Sequence, residues 1–239
     1  MDINNLFETV FAMAKFITFP NAPCVPRLPL SKAELDCQFN PRLDLYGSSD
    51  AYYTGYRLNE HHIKTSYIWD QYIEQIFDFI QIPFDKSRFQ LCQYYDESGL
   101  YDLSYHDPVD KCNTAFTYFD INMYKTSGTF DILRLINLEQ TTGYKNPISK
   151  YHNLFYGYHS NARIFNHHPL TDINMLVVCD SMMIPIVPLL AYYCKELTVV
   201  DNRNKTPWLV NLCDHNYNKV IISRILCDFT MDDIRYRFN

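Results

Sequence analysis

A serine at the end of a predicted strand is the residue best placed to act as a nucleophile. Ser181 follows a short apolar run, residues 175–179, and precedes an apolar segment of helix length that ends near Lys195. A β-rich run at residues 197–200 comes next, so the pattern predicts a strand, a turn, a helix and a second, parallel strand. Open α/β sheets bind ligands at the carboxyl edge, where the N–H groups of a helix start stabilise an oxyanion. We therefore expect Ser181 to lie at that edge.

A serine nucleophile needs a histidine as base and usually an acid to orient that histidine. Of the eight histidines, His61 and His62 have the most suggestive setting, because they follow Glu60 at a predicted strand-to-helix junction. An acid two positions before a histidine on extended backbone lies on the same side of the chain, so Glu60 can reach the His62 imidazole. The alternative is that the two histidines merely begin a helix at a solvated surface. The spacing alone leaves both interpretations open.

Two segments carry a resemblance to a known family. Residues 53–67 read YTGYRLNEHHIKTSY and resemble the signature of DHHW proteins, a branch of SGNH-type hydrolases and acyltransferases related to alginate O-acetyltransferases. Family members also carry an apolar strand ending in Asp-Ser, a helix, and a strand ending in Asp-Pro-Arg, and residues 177–203 are similar, with Asp-Ser and Asp-Asn-Arg. The acid and histidine precede the serine, which is the permuted order of this branch.

The resemblance assigns roles to single residues. It implies Ser181 as nucleophile, His62 as base and Glu60 as the acid that orients His62. It places Arg203 near the mouth of the site, where a guanidinium can hold a carboxylate, a phosphate or the developing oxyanion. His61 is a further candidate on the substrate side of the site.

Several positions depart from the family pattern. Ile63 replaces the tryptophan, Cys179 replaces the glycine before the serine, and the second-strand glycine and third-strand asparagine have no obvious counterpart, although Arg224 lies near the latter. The oxyanion hole is therefore expected to depend on the backbone N–H groups of Ser181 and Met182. Losing one oxyanion donor costs on the order of 10²–10³ in rate, so a slow or degenerate enzyme is one alternative. Asp180 is expected to cap the following helix rather than to catalyse.

Composition excludes several other classes. A net charge of −6 without a basic run argues against a nucleic-acid partner. The eight cysteines are dispersed and form no C-x-x-C pair, which favours free thiols and no metal site. The turn before the predicted helix lacks the glycines of a dinucleotide fold. No signal peptide and no apolar run of about 18 residues stands out, so we expect a cytoplasmic protein without a membrane span.

The remaining pattern predicts an α/β chain. Helices are predicted over residues 5–18 and 64–82, after residues 127–129, and as a short helix at a Ser31–Glu34 capping box. Strands are predicted over residues 88–95, 115–121 and 219–226. A polar loop separates the first two of these strands, and residues 141–170 are expected to be irregular.

These observations predict one three-layer α/β/α SGNH-like domain over residues 1–239 with a mainly parallel sheet, in which an N-terminal lobe, residues 1–60, has no clear linker. The implied activity is O-acetyl transfer to a surface polysaccharide or its precursor through an acetyl-serine, with acetyl-CoA as donor substrate and no bound cofactor. A carbohydrate esterase and a non-catalytic glycan-binding relative are the alternatives. A glycosyltransferase is an expected partner.

Overall fold

The computed structural model describes residues 3–20, 30–45, 65–95, 102–109, 115–120, 128–131, 162–201, 216–225, 230–231 and 234. The helices are α1 (Ile3–Met13), α2 (Lys32–Gln38), α3 and α4 (Val187–Tyr193). Helix α3 consists of three consecutive segments: an α-helical first turn (Thr65–Tyr67), a π-helical segment (Ile68–Tyr72) and an α-helical segment (Ile73–Phe79). Short 3₁₀ turns occupy Lys86–Arg88 and Ile184–Ile186. The strands are β1 (Ala14–Phe19), β2 (Arg42–Asp44), β3 (Phe89–Tyr95), β4 (Asp102–Pro108), β5 (Ala115–Asp120), β6 (Gly128–Asp131), β7 (Ala162–Asn166), β8 (Asn174–Cys179), β9 (Glu196–Asp201) and β10 (Lys219–Ile225).

Eight of these strands form one mixed sheet in the order β2-β1-β10-β8-β9-β7-β5-β6. The first five strands in this order are parallel to one another, and β7, β5 and β6 continue the sheet with antiparallel pairing. β8 lies between β10 and β9, with Cys179 paired to Ser223 on one side and to Asp201 on the other. The carboxyl ends of the parallel strands therefore meet at one edge, which is called the carboxyl edge below. β3 and β4 form a separate antiparallel hairpin.

Both faces of the parallel strands are buried, because side chains alternate between two apolar clusters. On β8, Val177 and Cys179 pack with α3 and α4, whereas Leu176 and Val178 pack with α1, α2 and Ile234 on the opposite face. A strand that is covered on both faces reads as a continuous apolar run, as residues 175–179 do. The predicted three-layer α/β/α fold with a mainly parallel sheet is confirmed.

Two lysines fix the direction of α3 across the sheet. Lys15 Nζ donates to the Phe79 carbonyl, and Lys219 Nζ donates to the Ile80 carbonyl at 2.7 Å. Both lysines lie at the amino ends of parallel strands, so the carboxyl end of α3 lies at the amino edge of the sheet. At about 1.5 Å per residue in a helix and about 3.3 Å in a strand, α3 spans about the length of β1. The first turn of α3, Thr65–Tyr67, therefore lies toward the carboxyl edge.

The strong local signals are confirmed. Ser31 caps α2 through a capping box, in which Glu34 N–H donates to Ser31 Oγ and Ser31 N–H donates to Glu34 Oε2. The long amphipathic helix corresponds to α3, and the strand, turn, helix and strand around Ser181 correspond to β8, α4 and β9. The strand predicted over residues 219–226 is β10, parallel to β1 and β8.

Other element predictions were wrong. Residues 14–18 lie in β1 rather than at the end of the first helix, because parallel pairing with β10 outweighs the helical spacing of their apolar side chains. β4 lies in the predicted polar loop, β7 lies in the predicted irregular stretch, and residues 130–131 of a predicted helix belong to β6. In the part of the chain described, no helix combines the length and apolarity that crossing a bilayer requires.

Candidate active site at the carboxyl edge

Ser181 lies in the turn that joins β8 to the helical segment behind it. The Asp180 carboxylate accepts the Met182 N–H through Oδ1 at 2.9 Å, and the Asp180 carbonyl accepts the Met183 N–H at 3.3 Å. The turn is enclosed, since Asp180 is 3% exposed and Ser181 is 5% exposed. Proline stands in the first positions of the 3₁₀ turn and of α4, where a missing N–H costs little. The local sequence thus favours a sharp passage from strand to helix at Ser181.

The Met182 N–H is already used within this turn. We expected it to serve in the oxyanion hole, but its hydrogen bond goes to the Asp180 carboxylate. An oxyanion bound to Met182 N–H would have to displace that carboxylate, which is a strong acceptor. Asp180 satisfies a backbone donor inside the turn, but it is not the predicted cap of the following helix, because the 3₁₀ turn and α4 have Met183 and Ile186 as N-cap residues and no side-chain cap.

The helix behind Ser181 is fixed at its far end by a residue that sequence reasoning missed. Asn166, at the end of β7, is 6% exposed. Its Nδ2 donates to the carbonyls of Ala191 at 3.0 Å and Tyr192 at 2.9 Å, and its Oδ1 accepts the His168 N–H at 2.9 Å. These bonds satisfy carbonyls that the end of α4 leaves open. The only sequence signal was an asparagine between a strand pattern and the pair His167-His168.

A buried arginine lies at the same edge as the Ser181 turn. Arg224 in β10 is 1% exposed and follows Ser223, which pairs with Cys179. It therefore lies on the neighbouring strand, level with the start of the turn. Arg224 therefore brings a buried guanidinium to the strand beside the Ser181 turn.

The exit from β2 is held by an ionic network. Arg42 Nε donates to Asp44 Oδ1 at 2.6 Å and Arg42 Nη2 donates to Asp36 Oδ1 at 2.7 Å, while Thr18 Oγ1 donates to Asp44 Oδ1 at 2.5 Å. Burial raises the pKa of the Asp44 carboxyl, but the hydrogen bonds from Arg42 and Thr18 outweigh burial and hold that pKa below its ordinary value. The network fixes β2, which is the last strand before Glu60 among the described residues.

Of the predicted site residues, Ser181 and Met182 are described, and they lie together in the turn. Glu60, His61, His62 and Arg203 lie outside the described residues. Their roles stay predictions. Within the described ranges, no three or more histidine, cysteine or carboxylate side chains group as ligands of a metal ion.

Solved structures supply a close match in fold. Bacillus cereus PatB1 with a sulfonyl adduct is 15% identical, with a TM-score of 0.71 over 98% of this chain and 86% of that one. A second PatB1 structure is 16% identical, with a TM-score of 0.68 over 99% and 89%. A DHHW family protein from Eubacterium siraeum is 14% identical, with a TM-score of 0.64 over 98% and 86%. The chain shares the fold of these proteins.

At these identities the likeness concerns the fold alone. The sequence matches no protein-family model, and no curated protein matches it at a significant level. A DHHW family protein among the structural neighbours agrees with the resemblance around residues 53–67, and the neighbours cover nearly the whole chain.

Proposed function

We propose that this protein is a serine-dependent acyl-transfer enzyme that acts on a carbohydrate. Ser181 is the nucleophile, His62 the base and Glu60 the acid that orients His62. The observation that carries the proposal is the position of Ser181, in an enclosed strand-to-helix turn at the carboxyl edge of a parallel sheet. This is where α/β sheets bind their ligands.

The course of α3 supports the pairing with His62. Its carboxyl end is held at the amino edge by Lys15 and Lys219, so its first turn lies toward the edge that contains Ser181. Thr65 begins that turn and follows His62 by three residues. Three residues of extended chain span at most about 10 Å, so His62 is tethered to the same end of the helix. Helices α3 and α4 also share one face of the sheet.

The proposed reaction has two steps. Ser181 Oγ attacks the acyl carbonyl while His62 accepts the hydroxyl proton, and the leaving group departs with that proton as the acyl-serine forms. A sugar hydroxyl then attacks the acyl-serine while His62 accepts its proton, and His62 returns a proton to Ser181 Oγ as the product ester leaves. Glu60 holds the tautomer of His62 and stabilises its charged form. The oxyanion is proposed to be stabilised by the Ser181 N–H and by the Met182 N–H, which must exchange the Asp180 carboxylate for the oxyanion.

The donor and the location form a further part of the proposal. Acetyl-CoA is the donor expected in the cytoplasm, and Arg203 is the residue proposed to bind its phosphates or the oxyanion. The acceptor is a polysaccharide or its precursor, made by a glycosyltransferase that works beside this protein.

The sulfonyl adduct of PatB1 suggests a direct test. Sulfonyl fluorides form such adducts on activated hydroxyl groups, so phenylmethylsulfonyl fluoride should label Ser181 in this chain. Mass spectrometry of the digested protein locates the adduct. We expect labelling to fall to background in Ser181→Ala and by at least tenfold in His62→Ala.

Ser223→Ala is the matched control. Ser223 is a fully buried serine on the neighbouring strand, and its hydroxyl has no hydrogen-bond partner among the described residues. This variant should keep the labelling rate. A wild-type protein that resists the reagent while still binding glycans would refute the enzyme and favour the non-catalytic glycan-binding alternative.

Turnover of p-nitrophenyl acetate separates transfer from hydrolysis. Acylated product that forms only when a sugar acceptor is present supports transfer, whereas equal turnover without a sugar supports an esterase. The outcome depends on how well the site excludes water. Full acyl-transfer activity in Ser181→Ala would contradict both the transferase and the esterase.

A further inference from the structure

The buried face of α3 repeats every four residues rather than every 3.6. The buried pairs are Ile68 with Trp69, Tyr72 with Ile73 and Ile76 with Phe77, and Ile80 follows. Four residues of α-helix rotate through about 400°. In a regular α-helix, each buried pair would therefore point about 40° further around the helix axis than the pair before it, away from the sheet. A π-helical segment has more residues per turn and corrects this drift. In α3 that segment is Ile68–Tyr72, directly after the first turn. The π-segment therefore sets the rotation of Thr65–Tyr67 about the helix axis.

One side chain holds the π-segment from outside the helix. Lys86 Nζ donates to the Trp69 carbonyl at 3.3 Å and lies 5.1 Å from the centroid of the Trp69 ring. The indole in turn packs edge-on against Phe84 and Phe89, with ring centroids 5.9 and 6.1 Å away. The charged donor on the carbonyl and the cation over the ring both hold Trp69 of the π-helical segment against the turn that contains Lys86.

The turn that contains Lys86 is also tied to the helix behind Ser181. The N–H of Asp85 donates to the Tyr193 hydroxyl at 2.9 Å, and Tyr193 ends α4. The same turn leads into β3, and its partner strand β4 lies against the first turn of α3. Lys86 thus connects the helix that follows His62 with the helix that follows Ser181.

We propose that Lys86 is a positioning residue for the reaction assigned above. By holding the π-segment at Trp69, it fixes the rotation of Thr65–Tyr67 and hence the approach of His62 to Ser181. This inference rests on the proposed function, because it concerns the geometry of that base and nucleophile. A purely stabilising role predicts a lower melting temperature with an unchanged active site, whereas a positioning role changes the chemistry of the folded protein.

The experiment compares three variants of the full chain. Lys86→Met keeps the aliphatic stem over Trp69 and removes the charge, Lys86→Gln keeps a neutral donor, and Lys86→Arg restores a cation. Lys195→Met is the control, because Lys195 is an exposed lysine whose partner Asp172 is also exposed. Labelling of Ser181 by phenylmethylsulfonyl fluoride is followed between pH 5 and pH 9 at a temperature at which circular dichroism shows each variant folded.

We expect Lys86→Met to lower the labelling rate at least tenfold and to shift the midpoint of its pH profile. Lys86→Gln should fall between Lys86→Met and wild type, Lys86→Arg should recover at least half of the wild-type rate, and Lys195→Met should behave as wild type. A wild-type rate and midpoint in Lys86→Met, or an arginine variant no better than methionine, would overturn the inference. If Lys86→Met does not fold, Lys86→Gln with wild-type behaviour overturns it equally.

The controls separate this failure from failure of the proposed function. A wild-type chain that is not labelled at Ser181 refutes the proposed function and this inference with it. Labelling of wild type that depends on His62 but not on Lys86 refutes the positioning role alone.

Discussion

Replacing Asn166 by alanine tests how the helix behind Ser181 is held. The change removes two donors to the carbonyls of Ala191 and Tyr192 and the acceptor for the His168 N–H, which are bonds of 2.9 to 3.0 Å. A buried group left without its hydrogen bond costs about 1–3 kcal/mol. Because His168 is exposed, its N–H can bind water instead, so the two carbonyls account for most of the loss. We expect the free energy of unfolding to fall by about 3 kcal/mol.

Thermal and urea unfolding measure this loss. For a domain of this size, 1 kcal/mol corresponds to about 2–4 °C, so the melting temperature should fall by about 6–12 °C. Asn218→Ala is the matched control, because Asn218 accepts the Asn174 N–H at 3.0 Å from an exposed position. Its loss should stay below about 1 kcal/mol.

Asn166→Asp adds a dependence on pH. The carboxylate keeps an acceptor for the His168 N–H but faces two carbonyl oxygens, so folding raises its pKa. The variant should therefore be least stable at neutral pH and recover as the pH falls through that raised value. Two results would refute the role of Asn166 in holding the end of α4. One is a change of less than about 0.5 kcal/mol in the free energy of unfolding of Asn166→Ala. The other is a stability loss in Asn166→Asp that does not depend on pH.

Three further predictions concern the cysteines and the lysines that hold the carboxyl end of α3, Lys15 and Lys219. Cys37 is exposed whereas Cys179 and Cys194 are buried, so Ellman's reagent should modify Cys37 in the folded protein and spare the other two. Burial raises the pKa of the Cys194 thiol from about 9 to about 12. The buried neutral thiol therefore makes its whole contribution to stability below pH 9 and loses it as the pH rises further. The stability difference between wild type and Cys194→Ala should shrink above pH 9. Lys219→Met removes a charged donor from the end of α3 and should lower the free energy of unfolding by about 1–2 kcal/mol, measured by urea unfolding. Lys195→Met should leave the urea midpoint unchanged, because Lys195 and its partner Asp172 are both exposed. Equal losses of stability in Lys219→Met and Lys195→Met would contradict the role of Lys219 in holding the end of α3.

The elements around Ser181 could be predicted because local and tertiary signals agree there. Residues 175–179 are apolar enough to be buried on both faces, and the prolines after Ser181 start the helical segment. Residues 14–18 lacked this agreement. Their apolar positions fit a helix, but they pair in parallel with β2 on one side and on the other with β10, more than two hundred residues later in the chain. A pairing partner that distant leaves no trace in a local pattern.

The candidate site divides in the same way. The sharp turn at Ser181 was recognisable from a strand that ends in Asp-Ser, and a local structural role of Asp180 was recognisable from its position directly after that strand. Asn166 and Lys86 were not, because each acts on backbone carbonyls of a distant helix, and carbonyls have no sequence signature. The engagement of Met182 N–H by Asp180 was missed because two acceptors, a side chain and an oxyanion, were possible for the same donor.

The side chains that hold the carboxyl ends of α3 and α4 determine which way the two helices run relative to the Ser181 turn. α3 is held at its carboxyl end by Lys15 and Lys219, and α4 is held at its carboxyl end by Asn166, all at the amino edge. Cations and amide donors belong at helix carboxyl ends, where the macrodipole is negative. The amino ends of both helices therefore lie toward the carboxyl edge, where the positive end of the helix macrodipole favours negative charge. In the acyl transfer proposed for Ser181, an oxyanion that develops there would use the polarity that these distant anchors impose.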